Sequence, residues 1–356
     1  MVDMSREQRK LDHIRYALEL GDGPLTNGLE NVHFLHNCLP ELAPADIDIT
    51  TTLSGIKLSV PFLVNAITGG TDNVTEINRK LAQTAAAAGA AIAVGSQYGA
   101  VKTQTNYRSF EIVRETYPEG VVFANISALA TPAEAQQAVD MLSANALQIH
   151  LNPAQELVMP EGDRDFKGLL ANMRRILEHV SVPVIVKETG CGMAAEQIRR
   201  LLALGFTCFD VGGAGGTNFP AIEAKRFAAT GTDLAGWGLA TAPSLIEAAA
   251  VCGKNDTIVA SGGLRDGLAS AKALALGADA VGMSGNILRC IMEDGVEVAQ
   301  QELLEIITDL RLLMLLTGSR DLKALRKTPL YFTGALREFL LCRGHDPIRL
   351  SAVRRN

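Results

Sequence analysis

Eight short apolar segments alternate with helix-like segments along this chain of 356 residues, and that alternation limits the folds it can adopt. Apolar runs of this length, without a polar face, are typical of strands buried on both sides in a parallel sheet. Eight strand–helix units of this size predict an α/β fold of the closed (β/α)8, or TIM barrel, type. The segments are PFLVNA (61–66), AAIAVG (90–95), VVFAN (121–125), ALQIHL (146–151), VPVIVKE (182–188), TCFDVG (207–212), TIVAS (257–261) and ADAVGM (278–283).

Helices are predicted between the strands. Thr131, followed by Pro132 and Glu134, is a plausible helix cap, and Thr241 with Ser244 three residues later is another. The predicted helical segments are 74–88, 132–144, 166–179, 194–204, 241–252 and 266–276.

The chain is expected to form a single domain, because 356 residues with 47% hydrophobic content suit one large core. Residues 1–60 form an N-terminal extension folded over the barrel mouth, residues 61–300 the barrel, and residues 301–356 a C-terminal helical tail. An open doubly wound sheet is the competing architecture. It is disfavoured because no GxGxxG follows the first apolar segment.

Charge and cysteine content exclude several classes of protein. The formal net charge of −6 and the lack of a long basic run disfavour nucleic-acid binding. The N-terminus is charged and apolar runs are short, so neither a signal peptide nor a membrane span is expected. The six cysteines show no CxxC pairing, which favours free thiols in the cytoplasm.

Polar residues stand at or just after the end of each predicted strand. In a barrel of parallel strands these ends form one rim, which carries the active site. The rim residues are Asn65, Ser96, Asn125, His150, Lys187, Asp210, Ser261 and Ser284.

Two glycine-rich segments follow predicted strands, DVGGAGGTN (210–218) and IVASGGLRDG (258–267). Glycine lacks a Cβ and tolerates positive φ, so such loops bring backbone amides within bonding distance of a phosphate. Arg265 in the second loop is a charge partner for the same anion. The two loops predict one phosphorylated cofactor held between them.

Eight motifs, taken together and in order, resemble the type 2 isopentenyl diphosphate isomerases. The resemblance implies a TIM barrel that binds flavin mononucleotide (FMN), acts with the flavin reduced, and requires Mg²⁺. It also implies NADPH as the flavin reductant, a small diphosphate substrate, and a homotetramer or homo-octamer. The motifs are RKLDHIRYAL (9–18), VHFLHNCLPEL (32–42), ITGG (67–70), HLNPAQE (150–156), VKETGCG (186–192), DVGGAGGTNF (210–219), WGLAT (237–241) and SGGLRDG (261–267).

By this resemblance, two groups of residues bind the flavin. Lys187 is the expected partner of its negatively charged edge, with an ion pair to Glu188 as the structural alternative. The sequence departs from the family at Ile67, where Met is common, and at Gly212, where Ser is common. The residues near the flavin ring are Ala66, Ile67, Thr68, Ser96, Asn125 and Lys187, and those at its phosphate are Thr217, Gly263, Leu264, Arg265, Ser284 and Gly285.

The resemblance also assigns the substrate site. Arg9, Lys10 and His13 share a face of one predicted helix and are expected to clamp the diphosphate; the alternative is an ordinary solvated helix. His150, Asn152 and Gln155 are expected to bind substrate, with Gln155 and His150 beside the reacting carbons, although His150 is also read as a rim histidine without a catalytic part. Glu156 is the expected Mg²⁺ ligand, since hard oxygen donors suit that ion.

The expected reaction interconverts isopentenyl and dimethylallyl diphosphate by a 1,3-proton shift without net redox change, with reduced flavin as acid and base. An FMN-dependent 2-hydroxy-acid oxidase is one alternative, but it needs a histidine near the sixth and seventh strands, and the glycine-rich stretch directly after Asp210 has none. A nucleotide dehydrogenase needs a reactive cysteine after that strand, whereas Cys208 lies within it. A non-catalytic flavin-binding barrel is the remaining alternative. Whether residues 212–236 form a lid is left open.

Overall fold

Eight parallel strands form a closed barrel in this protein, whose computed structural model describes residues 2–227 and 234–352. The barrel strands run from β4 (Phe62–Val64) to β11 (Ala280–Met283), and each falls on one predicted segment, which confirms the (β/α)8 fold. β4 also pairs with β11, at Val64 and Met283, and this pairing closes the barrel. The strands are β1 (Val32–Phe34), β2 (Thr51–Leu53), β3 (Ile56–Leu58), β4 (Phe62–Val64), β5 (Ala91–Ala93), β6 (Val122–Ser127), β7 (Ala146–Leu151), β8 (Val184–Glu188), β9 (Cys208–Asp210), β10 (Thr257–Ser261), β11 (Ala280–Met283) and β12 (Leu330–Phe332).

All six predicted helices are present, and the structure adds shorter ones at the carboxyl ends of several strands. Within the described residues, no helix combines the length and apolar character needed to cross a membrane. The helices are α1 (Val2–Leu20), α2 (Thr75–Ala88), α3 (Tyr98–Thr103), α4 (Arg108–Thr116), α5 (Pro132–Leu142), α6 (Pro153–Val158), α7 (Leu169–His179), α8 (Ala195–Leu202), α9 (Phe219–Arg226), α10 (Thr241–Ala249), α11 (Gly267–Leu276), α12 (Gly285–Glu293), α13 (Val296–Leu316), α14 (Leu322–Leu325), α15 (Gly334–Cys342) and α16 (Pro347–Ala352).

One of the two predicted caps is confirmed and the other is wrong. Thr131 Oγ1 accepts the Glu134 amide at 3.2 Å, and the Glu134 carboxylate accepts the Thr131 amide at 2.7 Å. This is a capping box. Thr241 is instead the first residue of α10, and its hydroxyl donates to the carbonyl of Gly262 at 2.6 Å. The hydroxyl therefore joins the helix to a glycine loop of the barrel rim.

The barrel interior is packed with apolar side chains. Phe123 and Ile185 are fully buried there among small side chains from the other strands. The hairpin of β2 and β3 adds Leu53 and Leu58 to the same cluster, and Ser54 beside it contacts Thr257 at the start of β10. The hairpin thus closes the amino-terminal end of the barrel.

The N-terminal segment packs over the opposite end. Helix α1 contacts α9 and α12, and its Ile14 is buried against Val74 and Leu288. Strand β1 pairs antiparallel with β12, which places a strand inside the expected helical tail and joins the two ends of the chain. Met1, residues 228–233 of the segment 212–236, and residues 353–356 lie outside the described residues.

Candidate functional site

A cavity of about 740 Å³ opens at the carboxyl ends of the barrel strands, under helix α1. Every residue predicted to contact cofactor, substrate or metal lines it, because the strand ends converge there and α1 covers them. These residues are Arg9, Lys10, His13, Ala66, Ile67, Thr68, Ser96, Asn125, His150, Asn152, Gln155, Glu156, Lys187, Thr217, Gly263, Leu264, Arg265, Ser284 and Gly285.

The two glycine loops pack against each other backbone to backbone at one end of the cavity. A Cβ added at Gly262 would lie 1.9 Å from the carbonyl oxygen of Gly213, and one at Gly263 would lie 2.0 Å from that of Gly215. Gly263 also has a φ of 76°, which side chains rarely adopt. Only glycine fits this contact, and it leaves the loop backbone exposed to the cavity.

The two departures from the family pattern have different surroundings. Gly212 has a φ of 49°, and a Cβ there would lie 2.1 Å from the carbonyl oxygen of Glu188. Its glycine is therefore required by the backbone of this chain. Ile67 is partly buried and packs with Ile14 and Leu288, so it joins the cavity wall to helix α1.

The glycine end of the cavity combines a cation with a helix N-terminus. Arg265 pairs with Asp22, with Nη2 2.5 Å from Oδ2, and also donates to the carbonyl of Gly215 at 3.3 Å. Helix α12 begins at Gly285, so its free amides and positive dipole end face the same region. Asp22 was not identified from the sequence. It follows the N-terminal helix and reaches Arg265 only through the fold.

The centre of the cavity has an asparagine–histidine pair. His150 Nδ1 lies 2.9 Å from Asn125 Oδ1. Burial, together with the charges of Lys10 and Lys187, lowers the pKa of His150 to about 3, so its imidazole is neutral. Nearby, Thr68 is buried and its hydroxyl has no partner in the described part of the chain.

Lys187 pairs with Asp210 instead of Glu188. Its ammonium lies 3.4 Å from Asp210 Oδ2 and donates to the backbone carbonyl of Glu188 at 2.8 Å. The Glu188 carboxylate turns away and accepts the amides of residues 190, 191 and 192. Burial raises the pKa of Glu188 to about 7 despite these amides. The alternative of an ion pair between Lys187 and Glu188 is therefore wrong, since the carboxylate that pairs with Lys187 is that of Asp210.

Helix α1 supplies a cationic end to the cavity. Burial, reinforced by the charge of Arg9, lowers the pKa of Lys10 to about 8, against the opposing effect of Glu223. His13 Nε2 lies 2.6 Å from Glu223 Oε1, and burial lowers the pKa of His13 in spite of that contact. Arg9, Lys10 and His13 therefore all face the cavity.

Glu223 is the main site residue that sequence reasoning missed. It is fully buried on α9 and accepts hydrogen bonds from His13, from Gln155 Nε2 at 3.0 Å, and from Arg226. Burial alone would raise its pKa, but these partners outweigh burial and lower it to about 2. No local pattern distinguishes this glutamate from an exposed helical one, and only the packing of α9 against α1 and α6 reveals it.

The carboxylate of Glu156 is held by polar neighbours. Asn152 Nδ2 donates to Oε1 at 2.8 Å, and the amide of Asp163 donates to Oε2 at 3.0 Å. Among the described residues, no group of three or more His, Cys, Asp or Glu side chains is placed to hold a metal. A cation here would need oxygens from a ligand as well.

Comparisons with known proteins identify close relatives. Residues 114–331 match the family of FMN-dependent dehydrogenases. The chain is 45% identical over 344 residues to an isopentenyl-diphosphate delta-isomerase of Geobacillus sp. (strain WCH70), covering 96% of this chain and 98% of that protein. It is 44% identical over 337 residues to one of Moorella thermoacetica, covering 95% and 96%.

Solved structures share the fold. A mandelate oxidase bound to (S)-2-phenylpropionate has a TM-score of 0.65 at 16% identity, covering 93% of this chain and 98% of that one. A protein of Pediococcus acidilactici assigned as a lactate oxidase has a TM-score of 0.68 at 15% identity, covering 94% of each chain. At this identity the likeness concerns the fold alone.

Proposed function

This chain belongs to the family of type 2 isopentenyl-diphosphate delta-isomerases, and we propose that it interconverts isopentenyl and dimethylallyl diphosphate in isoprenoid biosynthesis. The observation that carries the proposal is a cavity with two separate anion-binding ends. The glycine loops and α12 form one end, and Arg9, Lys10 and His13 form the other. A cofactor phosphate and a substrate diphosphate need such an arrangement.

FMN fits the barrel side of this cavity. The unpartnered hydroxyl of Thr68 offers a hydrogen bond, and the ammonium of Lys187 suits a negatively charged ring edge. The backbone of Gly263, the start of α12 at Gly285, and Arg265 suit the phosphate. Ala66, Ile67, Ser96, Asn125, Thr217, Leu264 and Ser284 would complete the flavin contacts.

Helix α1 would hold the substrate diphosphate. Arg9 and Lys10 supply charge, and His13 is held in place by Glu223. A partly buried ammonium is costly until an anion joins it, so substrate binding favours the charged form of Lys10. This coupling favours a dianionic ligand over a neutral one.

Gln155 and His150 would contact the reacting part of the substrate, with Asn152 beside them. Glu223 fixes the Gln155 amide through its Nε2, which orients the amide oxygen away from that carboxylate. His150 is neutral, so it acts by hydrogen bonding and not as an acid at neutral pH. Reduced FMN, when bound, would supply the proton donor and acceptor for the 1,3-shift.

Glu156 is the proposed Mg²⁺ ligand. Mg²⁺ commonly binds one or two carboxylates together with substrate phosphates and water. One carboxylate at the cationic end of the cavity matches that pattern. Glu156→Ala is expected to raise the Mg²⁺ concentration needed for half-maximal activity at least roughly tenfold, and full activity at low Mg²⁺ would refute the assignment.

Further parts of the proposal come from the sequence and its resemblance. NADPH would reduce the flavin and keep it reduced. The chain would form a single domain with the limits given above and assemble as a homotetramer or homo-octamer. A cytoplasmic location is supported by the six cysteines, which show no pairing pattern.

The proposal is tested by assaying purified, FMN-loaded protein anaerobically with isopentenyl diphosphate, before and after reduction. Isomer formation is expected only after reduction. Parallel assays with lactate and mandelate test the oxidase alternative, which the absence of histidine in residues 211–218 disfavours. Flavin reduction by a 2-hydroxy acid, without isomer formation, would replace the proposal by that alternative.

A further inference from the structure

A layer of buried polar side chains crosses the barrel directly beneath the cavity. Asp210 is fully buried and is not a lining residue of the cavity. Its Oδ1 accepts from Ser261 Oγ and from the Gly212 amide, and its Oδ2 accepts from Asn65 Nδ2 at 2.7 Å and faces Lys187 at 3.4 Å. Four groups therefore surround one carboxylate, which fixes its position.

The layer is built by several strands. Asn65 follows β4, and its Oδ1 accepts from Gln148 Nε2 on β7 at 3.0 Å and from the Ala66 amide at 2.9 Å. Strand β11 contributes Gly282, where a Cβ would lie 2.6 Å from Asn65 Nδ2. Glycine at this position therefore leaves room for the Asn65 side chain within the polar layer.

Lys187 connects this layer to the cavity. It is the register partner of Asp210 on the neighbouring strand, and it lines the cavity that Asp210 does not reach. An ammonium has three N–H donors. Among the described residues, the Glu188 carbonyl accepts one of these hydrogen bonds and Asp210 forms an ion pair with the ammonium, so donor capacity remains for a cavity ligand.

We propose that Asp210 is a positioning residue that holds the Lys187 ammonium at the cavity wall and offsets its positive charge. This inference rests on the proposed flavin site. There, the Asp210–Lys187 pair sets how readily the bound reduced flavin carries negative charge. The carboxylate and the ammonium carry opposite charges at short range and away from water, where electrostatic interactions are poorly screened. Glu188 does not take this part, because its carboxylate faces the amides of residues 190–192.

The test measures the flavin and not turnover. FMN-loaded wild type, Asp210→Asn, Lys187→Met and the double variant are reduced with dithionite and titrated with pH, following the absorbance of the reduced flavin. Asp210→Asn is expected to lower the pH at which the reduced flavin loses its proton by about one unit, or about tenfold in proton affinity. The midpoint potential of the flavin in Asp210→Asn is expected to rise. Lys187→Met is expected to shift both quantities in the opposite direction.

The double variant separates charge from general structure. Without the Lys187 ammonium, burial disfavours the ionised form of the Asp210 carboxylate, so adding Asp210→Asn to Lys187→Met is expected to change the flavin much less than it does in the wild type. A shift of full size in both backgrounds would overturn the proposal, as would no shift in a folded, FMN-loaded Asp210→Asn protein.

A second variant covers the case in which Asp210→Asn does not fold. Ser261→Ala keeps the Asp210 carboxylate but removes one of its hydrogen-bond donors. The carboxylate charge is then less satisfied by other groups and offsets more of the Lys187 charge. The reduced flavin is therefore expected to lose its proton at higher pH. A shift to lower pH, or none, would refute the proposal. Wild-type protein that binds no FMN would overturn both the proposal and the proposed function. Protein that titrates as expected without isomerising substrate would refute the proposed function alone.

Discussion

Lys10 is a partly buried cation under the electrostatic influence of Arg9 and Glu223. Because burial and the charge of Arg9 lower its pKa to about 8, its ammonium is charged below that pH and neutral above it in the free enzyme. A diphosphate needs the charged form. The value of kcat/KM, which reports on the free enzyme, is therefore expected to fall above about pH 8.

Two variants at this position test the expected fall in kcat/KM above about pH 8. Lys10→Arg keeps its charge at all accessible pH values, so its kcat/KM is expected to stay flat through pH 9. Lys10→Gln is expected to raise KM by roughly tenfold or more at pH 7, since it loses a charge-assisted hydrogen bond. Steady-state kinetics across pH measures both effects. If kcat/KM of Lys10→Arg fell at high pH as it does in the wild type, the assignment would be contradicted.

Glu223 holds two substrate-facing side chains with one carboxylate. Glu223→Gln keeps the size of the side chain but removes the charge that pairs with His13 and Arg226. We expect kcat/KM to fall by roughly 100-fold, because misplaced positioning groups cost about that much. Glu19→Gln, on the exposed side of α1 beside Lys225, is the matched control and is expected to retain wild-type kinetics. Wild-type kcat/KM in Glu223→Gln would refute this role.

Residues at strand ends are predictable from the sequence, whereas their partners are not. Asn125, His150 and Lys187 follow apolar runs, and the geometry of a parallel barrel gathers such ends at one rim. Glu223 and Asp22 lie on segments without such a pattern. Their contacts with His13 and Arg265 depend on how distant segments pack, which no local pattern encodes.

At the scale of elements, the two glycine loops act as one unit. Gly263→Ala is expected to abolish FMN binding or folding, because its Cβ would lie 2.0 Å from the carbonyl oxygen of Gly215. Gly236→Ala is the matched control, since nothing lies within 4 Å of an added Cβ there. FMN content and thermal melting measure both variants. A Gly263→Ala protein that binds FMN with wild-type affinity would contradict the tight loop packing.

The elements found by pattern were long or strongly apolar. The eight barrel strands and α2, α5 and α11 have such patterns, and they were predicted near their true limits. The short α6 and α9 carry site residues but were missed, because neither sequence shows a clear helical period of apolar residues. The β1–β12 pair joins segments about 300 residues apart, and strand pairing at that distance leaves no local signal.

At the scale of the whole molecule, a buried carboxylate fastens the C-terminal segment to the barrel. Glu247 on α10 accepts from Arg343 and the Ala195 amide and lies 2.8 Å from His345 Nε2. Burial opposes its ionisation, but these partners prevail and lower its pKa to about 2. Glu247 therefore links α8, α10 and the segment after α15.

The sign of the resulting pH dependence follows from that lowered pKa. The stabilisation is complete above the ordinary glutamate pKa and is lost as pH falls from about 4 toward 2. Glu247→Gln is expected to reduce the free energy of unfolding at pH 7 by on the order of 2 kcal/mol, with the difference from wild type shrinking in acid. Denaturant unfolding at several pH values measures this. Glu196→Gln, an exposed partner of the same Arg343, is expected to change stability little. A constant difference at all pH values would contradict the assignment.

The barrel is closed below by the β2–β3 hairpin, and the cavity lies over the strand ends, under α1. We propose that a proton shift without net redox change takes place in this cavity. The most direct test gives the reduced, FMN-loaded protein isopentenyl diphosphate in D2O, without oxygen, while NMR follows both isomers and absorbance follows the flavin. We predict dimethylallyl diphosphate in large excess over enzyme, with deuterium from solvent and a flavin that remains reduced. Flavin oxidised in proportion to substrate consumed, or no isomer formed, would contradict the claim.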